Sequence, residues 1–182
     1  MICAALLAVL LLQISPVAAE EGTQMQLQLT QDVVYCTAKL SGQRERLVAA
    51  LRDGMVVSTV WRIQLDRLRH YWLNESVAEI TVVRRVEPDL LAQRWRLVDE
   101  ATGIARQSDS LDAALHFLTA IEHVAVVDRA LLVAGESYRA GVAIDLRLGD
   151  AGEAWWTALW RTDEATMAQR FHLPANSAPV EP

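Results

Sequence analysis

Cysteine and lysine are almost missing from this chain. Of its two cysteines, Cys3 lies in a leader-like apolar run, which leaves Cys36 alone in the remainder. A single thiol excludes an internal disulfide, so the fold must be held by its core. Cys36 sits among Val34, Tyr35, Ala38 and Leu40 and reads as a small buried hydrophobe rather than a nucleophile. Lys39 stands against 16 arginines, and 17 basic residues face 23 acidic ones, for a net charge of −6. Ten of the acids fall between Ser108 and Glu164, where there are four arginines. This balance argues against a nucleic-acid partner, because neutralising phosphates needs a basic face. The usual local signatures of chemistry are missing too: there is no G-x-S-x-G, P-loop, H-E-x-x-H, C-x-x-C or dinucleotide fingerprint. Gly135-Glu136-Ser137 continues as Tyr138-Arg139, which spoils a nucleophile elbow. No cofactor is expected.

What the chain does have begins with an apolar run, Ile2 to Leu12, followed by Gln13, Ser15 and Pro16 and then the small residues Val17-Ala18-Ala19. The pattern is that of an export signal with cleavage after Ala19, although no Lys or Arg precedes the run. The run is short of the roughly 20 apolar residues of a spanning helix, so a retained anchor is the weaker alternative. The expected organisation is a signal peptide over 1–19, one domain over 20–173 and a disordered tail over 174–182, where PANSAPVEP offers little core.

The domain is organised around Met55 to Leu65. Met55, Val57, Thr59, Trp61, Ile63 and Leu65 recur at every second position, the period of a half-buried strand. Running on to Arg67, the strand is about twice the usual length and should cross a whole sheet. Before it, Met25, Leu27 and Leu29, then Val33 to Leu40, predict an opening hairpin. A helix in QRERLVAALRD follows, capped by Ser41 or Gly42 and ended by Gly54. After it, Glu75 to Glu87 alternates as a strand that Pro88 stops. Arg94–Val98 and Ile104–Gln107 flank a turn-rich loop and predict a hairpin. Asp109 is expected to cap a second helix with Asp112 at its third position, its apolar stripe running Leu111, Ala114, Leu115, Leu118, Ile121. Tyr138 to Leu148 alternates as another strand.

The sum is a mainly β chain: an antiparallel β-sandwich, immunoglobulin-like in general shape, with two short packed helices. The leader, LSGQRERLVAALRDGMVVSTVWRIQL, Trp72 after an Arg-rich bend, RWRLVDEATG, SLDAALHFLTAIEHV and YRAGVAIDLRL together resemble the exported bacterial family catalogued as domain of unknown function 4390. The resemblance spans Met25 to Leu148. It implies a proteobacterial envelope protein, often encoded beside a membrane sensor kinase, and it carries no assigned activity or site residues. Such proteins usually continue with a Leu-Pro element and an aromatic final strand, from which GDAGEAWWTALWRTDEATMAQRFHLP departs.

Three constellations bear on function. Trp155, Trp156 and Trp160, on one side of a possible short helix after Gly149 and Gly152, are candidate partner-binding residues; they also suit a membrane interface or closure of the core. Arg94 and Arg96 head a set of arginines (with Arg62, Arg67, Arg69, Arg84, Arg85 and Arg106) that would bind an anion if strands aligned them, or pair with neighbouring acids. Asp112, His116, Thr119 and His123 would share a helix face, solvated or offering two metal ligands, one short of a firm site. The leading expectation is an exported, non-catalytic binding or accessory module whose partner is another envelope protein, such as a membrane sensor. The alternatives are an envelope-structural protein in peripheral membrane contact through Trp155 to Trp160, and a hydrolase with a site dispersed over Asp66, His70 or the helix histidines.

Overall fold

A computed structural model describes residues 24–69, 71, 73–149 and 165–175. The chain runs β1 (Gln24–Leu29), β2 (Val33–Lys39), α1 (Arg44–Arg52), β3 (Val57–Arg67), β4 (Glu75–Asp89), β5 (Arg94–Asp99), β6 (Ile104–Ser108), α2 (Leu111–Thr119), β7 (Ala120–Asp128), a 3-10 turn (Arg129–Leu131), β8 (Ser137–Leu148) and β9 (Ala165–His172). Two antiparallel sheets, ordered β1-β2-β7 and β6-β5-β4-β3-β8-β9, pack as a β-sandwich with two helices.

The long strand is central, hydrogen-bonded along its length to β4 on one side and β8 on the other. Val57, Thr59, Trp61, Ile63 and Leu65 are all fully buried, as their period requires. A bulge between Leu65 and Asp66 shifts its register against β4. The inner face of the large sheet has two covers. Trp61, Ile63, Leu65, Val82, Tyr138, Val142 and Ile144 pack under the small sheet against Val34, Cys36 and Ile121. Val57, Val86, Leu97 and Leu146 pack under the helices against Leu47, Leu51, Ala114, Leu115 and Leu118. Thr59 joins the two covers: its hydroxyl donates to the Leu118 carbonyl at 3.0 Å and accepts from the Trp61 indole at 3.2 Å.

Met55 fits the alternation but lies outside β3 and is exposed, because its backbone ends α1. Met55 N–H donates to the Ala50 carbonyl and Gly54 N–H to the Leu51 carbonyl, with Gly54 at φ +79°, a left-handed ending that favours glycine. At the other end of α1 neither Ser41 nor Gly42 is the cap. Gln43 occupies that position, with no side-chain bond. In α2 the cap is Ser110, which accepts from Ala113 N–H, so Asp109 lies one residue too early and Asp112 is at the second position. Asp109 pairs instead with Arg94 at 3.0 Å.

The stripe that was to end at Ile121 breaks at Thr119, because the chain turns directly into β7 with no glycine or proline between. The last carbonyls of α2 lack intrahelical donors, and the sheets supply them. Arg84 Nη1 donates to Phe117 (3.1 Å) and to Ala120, Thr59 to Leu118, and Leu40 N–H to Thr119 (2.7 Å). Ile121 is buried in the other core, under the small sheet.

Pro88 does not stop β4, which runs on to Asp89. Beyond Val86 the strand has no β3 partner, so a missing N–H removes nothing on that side. At the C-terminal end, Ala165, Met167 and Phe171 of β9 face the strand-covered core, and Phe171 stacks on Tyr138 with ring centroids 5.5 Å apart. A final strand with an aromatic residue is therefore present despite the departure in sequence.

Candidate functional site

The candidate residues Arg94 and Arg96 lie in β5, and the pleat that turns Leu97 into the core turns Arg96 outward beside Glu87 and Gln107. Both are paired: Arg94 with Asp109 at 3.0 Å, Arg96 with Glu87 at 3.2 Å. Nearby, Arg85 spans Glu87 and Glu100, each at 3.0 Å. At the other end of the sheet Arg67 and Arg69 both bond to Glu75 and hold its carboxyl below the usual range, with the Arg67 hydrogen bond as the main cause. The outward arginines thus meet carboxylates, the cross-strand pairing that a solvated sheet face favours.

Arg94 and Arg96 also line a cleft of about 470 Å³ together with Glu87, Pro88, Asp89, Leu90, Leu91 and Gln107. Its lip is the β4–β5 turn. Asp89 accepts from Ala92 N–H, and Gln93 takes a left-handed conformation at φ +52° to close the turn. Leu91 at the tip is 100 % exposed and Leu90 57 %. Leu90 rests against the end of α1, where a side chain at Gly54 would come within 3.0 Å of it. Exposed Met55 is the next residue, so an apolar tip stands beside two guanidinium groups.

A second cleft, of about 310 Å³, opens on the inner side between α2, the start of β7 and the β5–β6 hairpin. Arg84 and Arg106 meet there over the Phe117 ring, 4.8 and 5.4 Å from its centroid. Burial is the main cause that lowers the pKa of Arg84; the charge of Asp99 opposes it more strongly than the charge of Arg106 adds to it, and Glu122 opposes it as well. This pairing of arginines was not singled out from sequence. The signal was a charged residue between Val82 and Val86, at a core position of the β4 alternation.

The histidine constellation does not assemble. Asp112 binds Arg44, His116 sits 3.4 Å from Glu122, Thr119 bonds back to Leu115, and His123 belongs to β7. His123 is in the left-handed region at φ +49°, in a stretch where β7 slips register against β2, and its ring lies 6.0 Å from Tyr35. Among the described residues, no three of His, Cys, Asp and Glu come together as a metal-binding group. Asp66 accepts from Gln64, and His70 lies outside the described residues, as do Trp72 and the candidates Trp155, Trp156 and Trp160. Cys36 is fully buried, and burial pushes its thiol up to about 11, which makes it inert at neutral pH. Among the described residues no helix is long and apolar enough to cross a membrane.

These features define a β-sandwich whose second layer is part strand and part helix, with two clefts at the helix-covered end and another, of about 380 Å³, on the outer face of β3, β4, β8 and β9. The chain belongs to the family described as Domain of unknown function (DUF4390), which matches residues 20–151. No curated protein and no solved structure matches it.

Proposed function

We propose that this protein is an exported, non-catalytic binding module of the cell envelope that docks another protein through the Leu90–Leu91 tip and the Arg94 and Arg96 side chains beside it. The observation that carries the reading is the pair of adjacent exposed leucines on a turn fixed by Asp89, next to two arginines. Apolar anchors rimmed by charge are the usual make-up of an interface that forms between folded partners. Arg94 is held by a solvent-exposed ion pair to Asp109, and exposed Arg96 shares half-buried Glu87 with Arg85; such pairs at exposed guanidinium groups cost little to exchange for a partner's carboxylates. An acidic, apolar-tipped segment of an envelope protein fits this surface, and a membrane sensor is one such partner. Export, with the chain starting at Glu20, is part of the proposal and rests on the apolar leader.

The test is retention in envelope fractions. Leu90→Asp with Leu91→Asp should abolish partner capture while the melting temperature stays unchanged. Intact mass of the captured protein should correspond to a chain beginning at Glu20. Unchanged capture by the double variant removes the tip from the account, and saturable turnover of a small molecule that depends on His116 removes the non-catalytic reading.

A second reading places the anchor in Trp155, Trp156 and Trp160, on the strength of three tryptophans within six residues. Replacing Trp156 and Trp160 together discriminates it: loss of capture with the fold intact favours that segment, and unfolding assigns the tryptophans to the core.

A further inference from the structure

We propose that the cleft between α2 and the β5–β6 hairpin binds a small oxyanion, a carboxylate or a phosphate, between Arg84 and Arg106. It shares no lining residue with the cleft beside Arg94 and Arg96, so it is a separate site from the docking tip.

The register brings the two arginines together. Arg106 pairs with Leu97, and Arg84 with Asp99, so β4 and β6 project both guanidinium groups to the inner side of the sheet, where Phe117 lies between sheet and helix. Two cations over one ring repel each other, and an anion between them removes that repulsion. The charges of Asp99 and Glu122 act on Arg84, but neither carboxylate bonds to an arginine of the cleft. Asp99 accepts from Ala101 and Thr102 N–H in the hairpin turn, and Glu122 sits against His116. Among the described residues Arg106 has no carboxylate partner. Arg84 spends Nη1 on the Phe117 and Ala120 carbonyls, while its Nε is buried without a hydrogen-bond partner. A buried unpaired donor is costly, and an oxyanion in this cleft is the kind of acceptor that would relieve it. Thr102 and His116 line the opening and supply further polar groups. The volume is at the lower end for ligand sites, which restricts the ligand to a small one.

The roles of the two arginines separate experimentally. Arg84 also caps α2, so its loss would disturb the fold; Arg106 is exposed on an edge strand. Inorganic phosphate is titrated into the full protein at constant ionic strength while the amide resonances of Thr102, His116 and Phe117 are followed. Saturable shifts are expected, with Arg106→Gln weakening the affinity at least about tenfold and Arg96→Gln leaving it unchanged. Arg106→Lys, which keeps the charge but not the forked geometry, should weaken it less and serves as the readout if Arg106→Gln lowers the melting temperature. A second arm uses vesicles containing phosphatidylglycerol. Sedimentation that depends on Arg106 and that free phosphate cannot compete away would transfer the site to a lipid headgroup and overturn the soluble-ligand assignment. Shifts that fail to saturate, that chloride reproduces, or that persist in both Arg106 variants would overturn the site itself.

Discussion

The six-stranded sheet is covered differently at its two ends, and the contrast separates architecture from surface. Under β1, β2 and β7 the cover is strand on strand: Trp61, Tyr138 and Ile144 are closed over by Val34, Cys36 and Ile121, and Phe171 completes the layer. Under α1 and α2 the cover is narrower. Each helix spans nine residues, so β5 and β6 extend past it. At this end lie Leu90, Leu91 and Met55 at the tip and the Arg84–Arg106 cleft, while the other end exposes Leu73 and Leu131 and carries a cleft of about 380 Å³ on its outer face, lined by Arg62, Gln64, Asp66 and Arg139. A sheet covers a sheet along its length, whereas a short helix leaves the outer strands partly uncovered. That difference creates clefts without any special catalytic sequence.

The largest effect expected of a single change is in the strand-covered half. Trp61→Ala should cost about 3–5 kcal/mol in denaturant unfolding, the range for deleting a buried aromatic, and also strips Thr59 of its indole donor. A cost below about 1 kcal/mol would show that the two halves are not divided as described. Thr59→Val tests the join between them. It keeps the shape but leaves the Leu118 carbonyl and the Trp61 indole unpaired, for a loss of about 1–3 kcal/mol, and hydrogen exchange should speed up at the end of α2. Equal exchange in both proteins would mean that the halves are held together elsewhere.

Within the helix-covered half, Ser110→Ala should cost about 1 kcal/mol and Asp109→Ala less than about 0.5 kcal/mol. Ser110 caps α2, while Asp109 makes only an exposed ion pair to Arg94. The reverse order would restore the cap assigned from sequence. Cys36 gives no pH-dependent stability signal at neutral pH and the cleanest test of closure of the other half. Its thiol is raised from 9.0 to about 11 in the folded state, so the folded form holds the proton more tightly. That contribution is complete below about pH 9 and is lost as the pH rises towards 11. A thiol reagent should label Cys36 only as fast as the protein opens at neutral pH; prompt labelling would contradict a sealed core.

The two central strands were largely legible in the sequence, because they alternate over long runs. Val57 to Leu65 and Tyr138 to Leu148 follow the pleat almost residue by residue. β7 was not legible. It follows α2 with no breaker, and the bulges against β2 and the left-handed His123 scramble its period. Its start is set by Thr59, Arg84 and Leu40 N–H taking the helix carbonyls, a tertiary cause invisible in local sequence. β9 was hidden for a different reason: its apolar set, Ala165, Met167 and Phe171, is short and interrupted by Gln169. Of the site, the arginines were visible as a composition, but the face each occupies was not. Leu90 and Leu91 drew no reading from the sequence, and it is the fold that places them at a tip.

The central claim is that binding is confined to the helix-covered end. A photo-reactive residue introduced at Leu91 or Arg96, and in parallel at Gln26 or Gln28 on exposed β1, compares the two ends directly in envelope membranes. The account predicts one discrete adduct from Leu91 and Arg96 and none from the β1 positions, with the adduct lost when Leu90 is replaced by Asp. Equal cross-linking from both ends, or adducts from β1 alone, would contradict it.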